Sequence, residues 1–212
     1  MIADIFVFFH ILHGHMIVAI EGIDGSGKET QVSLLREHFK KKKIKFSALK
    51  TPDYESETGK SIKKYLNGEL SLTPEEAFLL YAKDVLDMVD KFSKLEKKVR
   101  IVLLDRYITS TIAYQCARGL PLKKALEITE ILGFPGIDKI IFVDIKPETG
   151  FKRKSAEKPK LDIHERDKRY LSKVRKFYLQ QRKKNFLGEW VTVNGEGKPN
   201  EINKEILKQI KI

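Results

Sequence analysis

Four apolar residues, Ile17-Val18-Ala19-Ile20, follow one another without a polar interruption, and so short a closed run predicts a strand buried on both faces. Apolar positions then switch to helical spacing at Val32, Leu34, Leu35 and Phe39. The same alternation repeats down the chain. Ile44 to Lys50 reads as a second strand, Val99 to Leu104 as a third ending on Asp105, Ile140 to Asp144 as a fourth, and Val191-Thr192-Val193 as a short fifth. Helical patterns fill each interval. One of them carries its own start signal: Thr73-Pro74-Glu75-Glu76 combines an N-cap, a proline at the first helical position and a capping-box glutamate, so a long helix should run past Phe78 and Tyr81 towards Phe92. Strands alternating with helices predict an α/β fold, a parallel sheet covered on both faces. No internal repeat, low-complexity tract or linker divides the chain, which reads as one domain over residues 16–212 after a leader at 1–15.

Between the first strand and the first helix lies Glu21-Gly22-Ile23-Asp24-Gly25-Ser26-Gly27-Lys28-Glu29-Thr30. A glycine-rich loop in that context is a cradle for nucleotide phosphates: its backbone amides can turn inward, Lys28 adds a point charge, and the helix opening there aims its unpaired amides and positive dipole end at the same spot. Where such loops carry Ser or Thr for magnesium, this chain has Glu29, with Thr30 one place late. In parallel sheets ligands bind beyond the carboxyl ends of the strands. The candidates at that edge are Asp24, Thr51-Pro52-Asp53-Tyr54 after the second strand, and Asp105-Arg106-Tyr107 after the third. An aspartate there can hold a magnesium ion or its water, and an adjacent arginine can grip phosphate through paired hydrogen bonds.

Composition narrows the partners. Lys plus Arg number 41 against 29 Asp plus Glu, a net +12 that calls for an anionic partner or a well-solvated basic surface. Nucleotides satisfy it; nucleic acid is not expected, because no recognition-helix, zinc-finger or aromatic RNA-binding signature is present. The Lys40-Lys41-Lys42-Lys43 run complements the negative end of the first helix. Cys116 is the single cysteine, which rules out an intrachain disulfide, makes zinc unexpected and agrees with a cytoplasmic location. The mostly apolar stretch from Ile5 to Leu12 is too short to span a membrane, and no Lys or Arg precedes it as a secretory signal requires. His10, His13 and His15 read as part of a dispensable leader, with Met16 an alternative start. The high charge content fits a heat-adapted protein as well as a mesophilic one.

The ordered set Glu21-Gly-Ile-Asp-Gly-Ser-Gly-Lys28, Asp105-Arg-Tyr-Ile-Thr-Ser110 and Ala113-Tyr-Gln115 resembles thymidylate kinases in order and spacing. Thr51-Pro52-Asp53 with Gly59-Lys60, Leu79-Leu80-Tyr81-Ala82 and Val174-Arg175-Lys176-Phe177-Tyr178 extend the resemblance over the chain after Met16. It implies a P-loop kinase fold, a five-stranded parallel sheet with helices on both faces and a short mobile lid near 153–166. It also implies transfer of the γ-phosphoryl of ATP to dTMP with Mg2+, in a homodimer. By matching positions, Lys28 and the loop from Gly22 through Ile23, Asp24, Gly25, Ser26 and Gly27 to Glu29 and Thr30 hold ATP. Asp105, with Glu29, organises the metal, and Arg106 binds phosphate between donor and acceptor. Asp24 reaches the deoxyribose 3′-hydroxyl, Asp53 belongs to the acceptor side, and Tyr81 stacks on thymine. Ser110 and Gln115 face the base edge, and Tyr114 lies under the sugar. The lid carries Arg153, Lys154, Lys158, Lys160 and Arg166, with Arg153 the first choice as its catalytic charge.

Besides Glu29, two positions depart from that pattern. Tyr54 stands where an arginine often binds the acceptor, and Val85 replaces another in the helix after Tyr81; Lys83 or Lys50 are candidates to compensate. A kinase of another nucleoside monophosphate, a nucleotide-binding protein without catalysis, and a basic nucleic-acid-binding protein are the competing readings.

Overall fold

The structure, a computed structural model, describes residues 15–95, 98–157 and 168–210. In chain order it comprises β1 (Met16–Glu21), α1 (Lys28–Lys41), β2 (Phe46–Lys50), α2 (Glu57–Asn67), α3 (Pro74–Ser93), β3 (Ile101–Asp105), α4 (Ile108–Ala117), α5 (Leu122–Ile131), β4 (Ile137–Asp144), α6 (Pro147–Glu157), α7 (Lys168–Lys183), β5 (Gly188–Asn194) and α8 (Pro199–Ile210). The five strands form one parallel sheet in the order β2-β3-β1-β4-β5.

Strand pleating sorts the apolar runs onto two faces, because successive side chains point to opposite sides. Ile17 and Ala19 of β1, Val102 and Leu104 of β3, and Ile140 and Phe142 of β4 face one cluster, which they share with Phe78 and Val85 of α3, Ile112 of α4, and Leu171, Val174 and Tyr178 of α7. Val18 and Ile20, Ile101 and Leu103, and Ile141 and Val143 face the other, against Val32, Leu35 and Phe39 of α1 and Ile202, Ile206 and Ile210 of α8. Hence β1, β3 and β4 needed uninterrupted apolar runs. Helix α4 is buried along its whole length, between α3 and α7.

Boundaries shift from the sequence expectation for local reasons. β2 starts at Phe46, two residues late: Lys43 turns left-handed (φ 56) and the Ile44 amide donates to the Phe39 carbonyl at 2.9 Å, closing the end of α1. β4 begins three residues early, at Ile137, across a bulge in which the Asp138 carboxylate accepts from the Ile17 amide at 2.7 Å. The expected capping box at α3 forms, with the Thr73 amide donating to Glu76 Oε2 (2.8 Å) and the Glu76 amide to Thr73 Oγ1 (3.2 Å). His10 and His13 lie outside the described residues, as does most of the expected lid. Of that lid, residues 153–157 are described and form the end of α6. No helix among the described residues is long and apolar enough to cross a membrane.

Candidate functional site

The loop after β1 is bent by glycines whose backbone conformations other residues rarely adopt. Gly25 has φ +77, and a Cβ added to it would come within 2.3 Å of the Gly150 carbonyl oxygen of α6; Gly27, at φ +86, caps α1 with nothing within 4 Å. Gly25→Ala is therefore expected to suffer both backbone strain and a backbone collision, and Gly27→Ala strain alone. The former should lower stability by about 1–3 kcal/mol and shift the thermal midpoint clearly further than the latter; equal shifts would mean that the approach to Gly150 is not a constraint.

Lys28 is buried at the start of α1, and its Nζ donates to the Ile23 carbonyl (2.8 Å) and Ser26 Oγ (3.3 Å). Burial, reinforced by the nearby Arg106 charge, lowers its pKa from the usual 10.5 to about 7. The amine thus braces the backbone of the loop that would cradle a phosphate. Arg153 braces it from the other side, donating to the carbonyls of Gly25 (3.2 Å) and Gly195 (3.2 Å) from within α6. It was expected on a lid as a catalytic charge; here it ties the loop to the segment after β5.

Beyond the sheet edge opens a cleft lined by Asp24, Thr51, Pro52, Tyr54, Leu66, Tyr81, Arg106, Ser110, Thr111, Tyr114 and Gln115. Arg106 is its central cation. Its backbone is left-handed (φ 73), which turns the guanidinium back over the loop to ion-pair with Asp24, donate to Ser110 Oγ (3.1 Å) and lie 5.2 Å above the Tyr114 ring. Beneath it sits Glu21, fully buried at the end of β1. Glu21 accepts from the Tyr107 amide (2.8 Å), Thr109 Oγ1 (2.6 Å), Ser110 Oγ (2.6 Å) and Tyr178 (2.8 Å), so this carboxylate organises the start of α4.

The expected acceptor residues divide. Asp24, Tyr81, Arg106, Ser110, Tyr114 and Gln115 converge on the cleft. Ser110, however, cannot read a base edge as a donor, since its one proton goes to Glu21. Gln115 can: its amide oxygen accepts from Arg118 (3.0 Å), which leaves the NH2 group to the cleft. Asp53 is the residue that turns away. Its carboxylate pairs with Lys91 (2.7 Å) and its amide donates to the buried Asp84 (3.2 Å), so the turn after β2 is pinned to α3 and Asp53 is absent from the cleft lining. Val85 is also packed into the core, 1% exposed, whereas Tyr54 forms part of the cleft wall. Thr51 and Pro52, candidates at the strand edge, line the cleft, while Leu66 and Thr111 went unassigned in the sequence; for Thr111 the signal existed, because positions 111, 114 and 115 share one helical face.

Two carboxylates were expected to serve a metal. Asp105 closes β3, nearly buried, and the one ion pair its side chain makes among the described residues is a long one, 3.9 Å to Lys50. Such a lightly engaged carboxylate beside the phosphate loop fits a magnesium ion that arrives with nucleotide phosphates and keeps several waters. Glu29 fits less well: its carboxylate reaches away to Lys50 at 3.0 Å, which holds its pKa below the usual range. No cluster of three or more acidic, histidine or cysteine side chains suited to a metal occurs among the described residues.

Comparison with known proteins agrees with this geometry. A family model described as thymidylate kinase matches residues 20–206. The "Probable thymidylate kinase" of Archaeoglobus fulgidus is 35% identical over 92% of this chain and 94% of its own length. The thymidylate kinase of Caldanaerobacter subterraneus subsp. tengcongensis is 33% identical over 91% and 93%. Among solved structures, the thymidylate kinase of Candida albicans superposes with a TM-score of 0.75, covering 93% of this chain and 91% of its own at 24% identity.

Proposed function

The chain belongs to the thymidylate kinase family, and on that premise we propose that it transfers the γ-phosphoryl group of ATP to dTMP, yielding ADP and dTDP. The observation that carries the reading is the Asp24–Arg106 ion pair, which joins the phosphate loop to the cleft at the carboxyl edge of the sheet. Donor and acceptor phosphates would meet across it.

Phosphoryl transfer asks little covalent help of a protein; it asks for alignment and for offset charge. The loop amides and Lys28 would hold the β- and γ-phosphates, the amine exchanging its contacts with Ile23 and Ser26 for phosphate oxygens. Arg106 would bridge acceptor and transferred phosphoryl, and a dTMP oxygen would attack the γ-phosphorus in line as ADP leaves. Asp105 would hold magnesium, which supplies charge neutralisation at the phosphate oxygens when bound. Asp24 and Tyr114 would fit the deoxyribose, Tyr81 would cover one face of the base, and the Gln115 NH2 would donate to a base carbonyl. Aromatic stacking with a packed sugar pocket discriminates by shape as well as by hydrogen bonds.

The test is ADP release from Mg-ATP with dTMP, dUMP, UMP, CMP, GMP and AMP. A strong preference for dTMP is expected; preference for another acceptor would keep the chemistry and overturn the specificity, and nucleotide binding without turnover would overturn the reaction. A homodimer is the further expectation, and light scattering in solution reads it directly. A cytoplasmic location rests on the family's small nucleotide substrates and on a single cysteine, Cys116, whose buried thiol is pushed up to about 12. Cell fractionation checks it.

A further inference from the structure

Lys50 is the last residue of β2, paired in register with Asp105. Its Nζ stands 3.0 Å from Glu29 Oε1 and 3.9 Å from Asp105 Oδ2. Glu29 directly follows Lys28 of the phosphate loop, while Thr51 and Pro52, directly after Lys50, line the acceptor cleft. The ammonium group therefore hangs over the seam between the two halves of the site.

Positive charge is sparse among the described residues of the acceptor side. A nucleoside monophosphate brings nearly two negative charges to a place already facing a nucleoside triphosphate. Among the described residues that line the cleft, Arg106 is the one cation, and Asp24 already neutralises part of it. Position 54 contributes a tyrosine to the wall and position 85 a core valine. Lys83 is ion-paired with Asp87 along α3, and Lys91 with Asp53. Lys50, which directly precedes Thr51 of the cleft wall, can redirect without disturbing the fold: its side chain is 50% exposed and that of Glu29 82%, and an ion pair so open to water binds weakly. A phosphate dianion offers a stronger partner than one carboxylate.

We propose that Lys50 is a phosphate-contacting residue of the transfer reaction, leaving Glu29 for the α-phosphate of the acceptor monophosphate when it binds. Glu29 is its tether, holding the ammonium beside the site at 3.0 Å with Asp105 at 3.9 Å. The inference rests on the acceptor reading above, deepening it: the charge missing at positions 54 and 85 returns from β2.

Binding of dTMP and of thymidine, measured by calorimetry without ATP or metal, separates a phosphate contact from a structural one. Lys50→Met is expected to weaken dTMP by roughly 10–100-fold and leave thymidine within about twofold. Lys50→Arg should recover most of the loss, and Glu29→Gln, which frees Lys50, should tighten dTMP. Unchanged dTMP affinity in Lys50→Met overturns the proposal, as does parallel weakening of dTMP and thymidine, which would make Lys50 a support of the Thr51–Pro52 wall. Weakened ATP with unaltered dTMP would likewise overturn it. Were wild-type protein to bind another monophosphate in place of dTMP, the acceptor reading alone would fail, and that monophosphate with its nucleoside would test Lys50 in the same way.

Discussion

Lys28→Met is expected to lower kcat by roughly 10³-fold while leaving a cooperative fold. The lysine is buried, and its amine donates to the loop's own Ile23 carbonyl and Ser26 hydroxyl, so methionine fills the same volume and removes a group that burial makes costly to charge. Its pKa of about 7 gives the prediction a second readout. Between pH 7 and the unfolded value of 10.5 the unfolded chain keeps this proton and the folded chain does not, so the lysine's contribution to stability rises with pH across that window. Wild type should therefore show a more positive slope of stability against pH there than Lys28→Met. ATP reverses the balance: phosphate charge beside the amine raises its pKa, so binding at pH 8 should take up close to about one proton. Calorimetry in two buffers of different ionisation enthalpy measures that uptake. The same uptake in Lys28→Met would sink the assignment, as would near-normal turnover.

Much of this site was legible before any coordinates, for identifiable reasons. The phosphate loop declares itself through residue type, since glycine at 25 and 27 answers backbone demands that few other residues meet. Strands β1 and β3 were legible because burial on both faces leaves a closed apolar run. β5 was half-hidden, reading as three residues where seven pair, because an edge strand with exposed Glu189 and Asn194 does not need the closed run. Ion pairs were the part that sequence could not convey. Asp53 looked equivalent to Asp24, and only the packing of α3 shows one carboxylate carried off by Lys91 and the other facing Arg106. Glu21 read only as the first residue of the glycine-rich loop, and its four donors come from Tyr107, the start of α4 and α7, far away in the chain. Likewise Lys50 and Glu29 are 21 positions apart, a separation at which spacing says nothing about contact.

Arg106→Met is expected to reduce kcat by about 10³-fold or more, the range of an arginine that stabilises a phosphoryl transition state. Arg106→Lys should rescue little of it. A lysine ammonium cannot ion-pair with Asp24, donate to Ser110 and lie flat over Tyr114 at once, as the planar guanidinium does. The left-handed backbone at 106 points the same way: the strained conformation persists because loop and α4 both hold the side chain it aims. Part of any loss could reflect Asp24 stranded without its partner, since the two side chains are only 19% and 15% exposed. The double variant with Asp24→Asn separates the effects. It should restore the thermal midpoint lost in Arg106→Met, because the orphaned carboxylate is gone, and it should leave turnover low, because nothing has replaced the charge between donor and acceptor. Recovery of activity together with stability would make Arg106 a structural partner of Asp24, and the phosphate bridge would then have to be built from Lys28 and Lys50 alone.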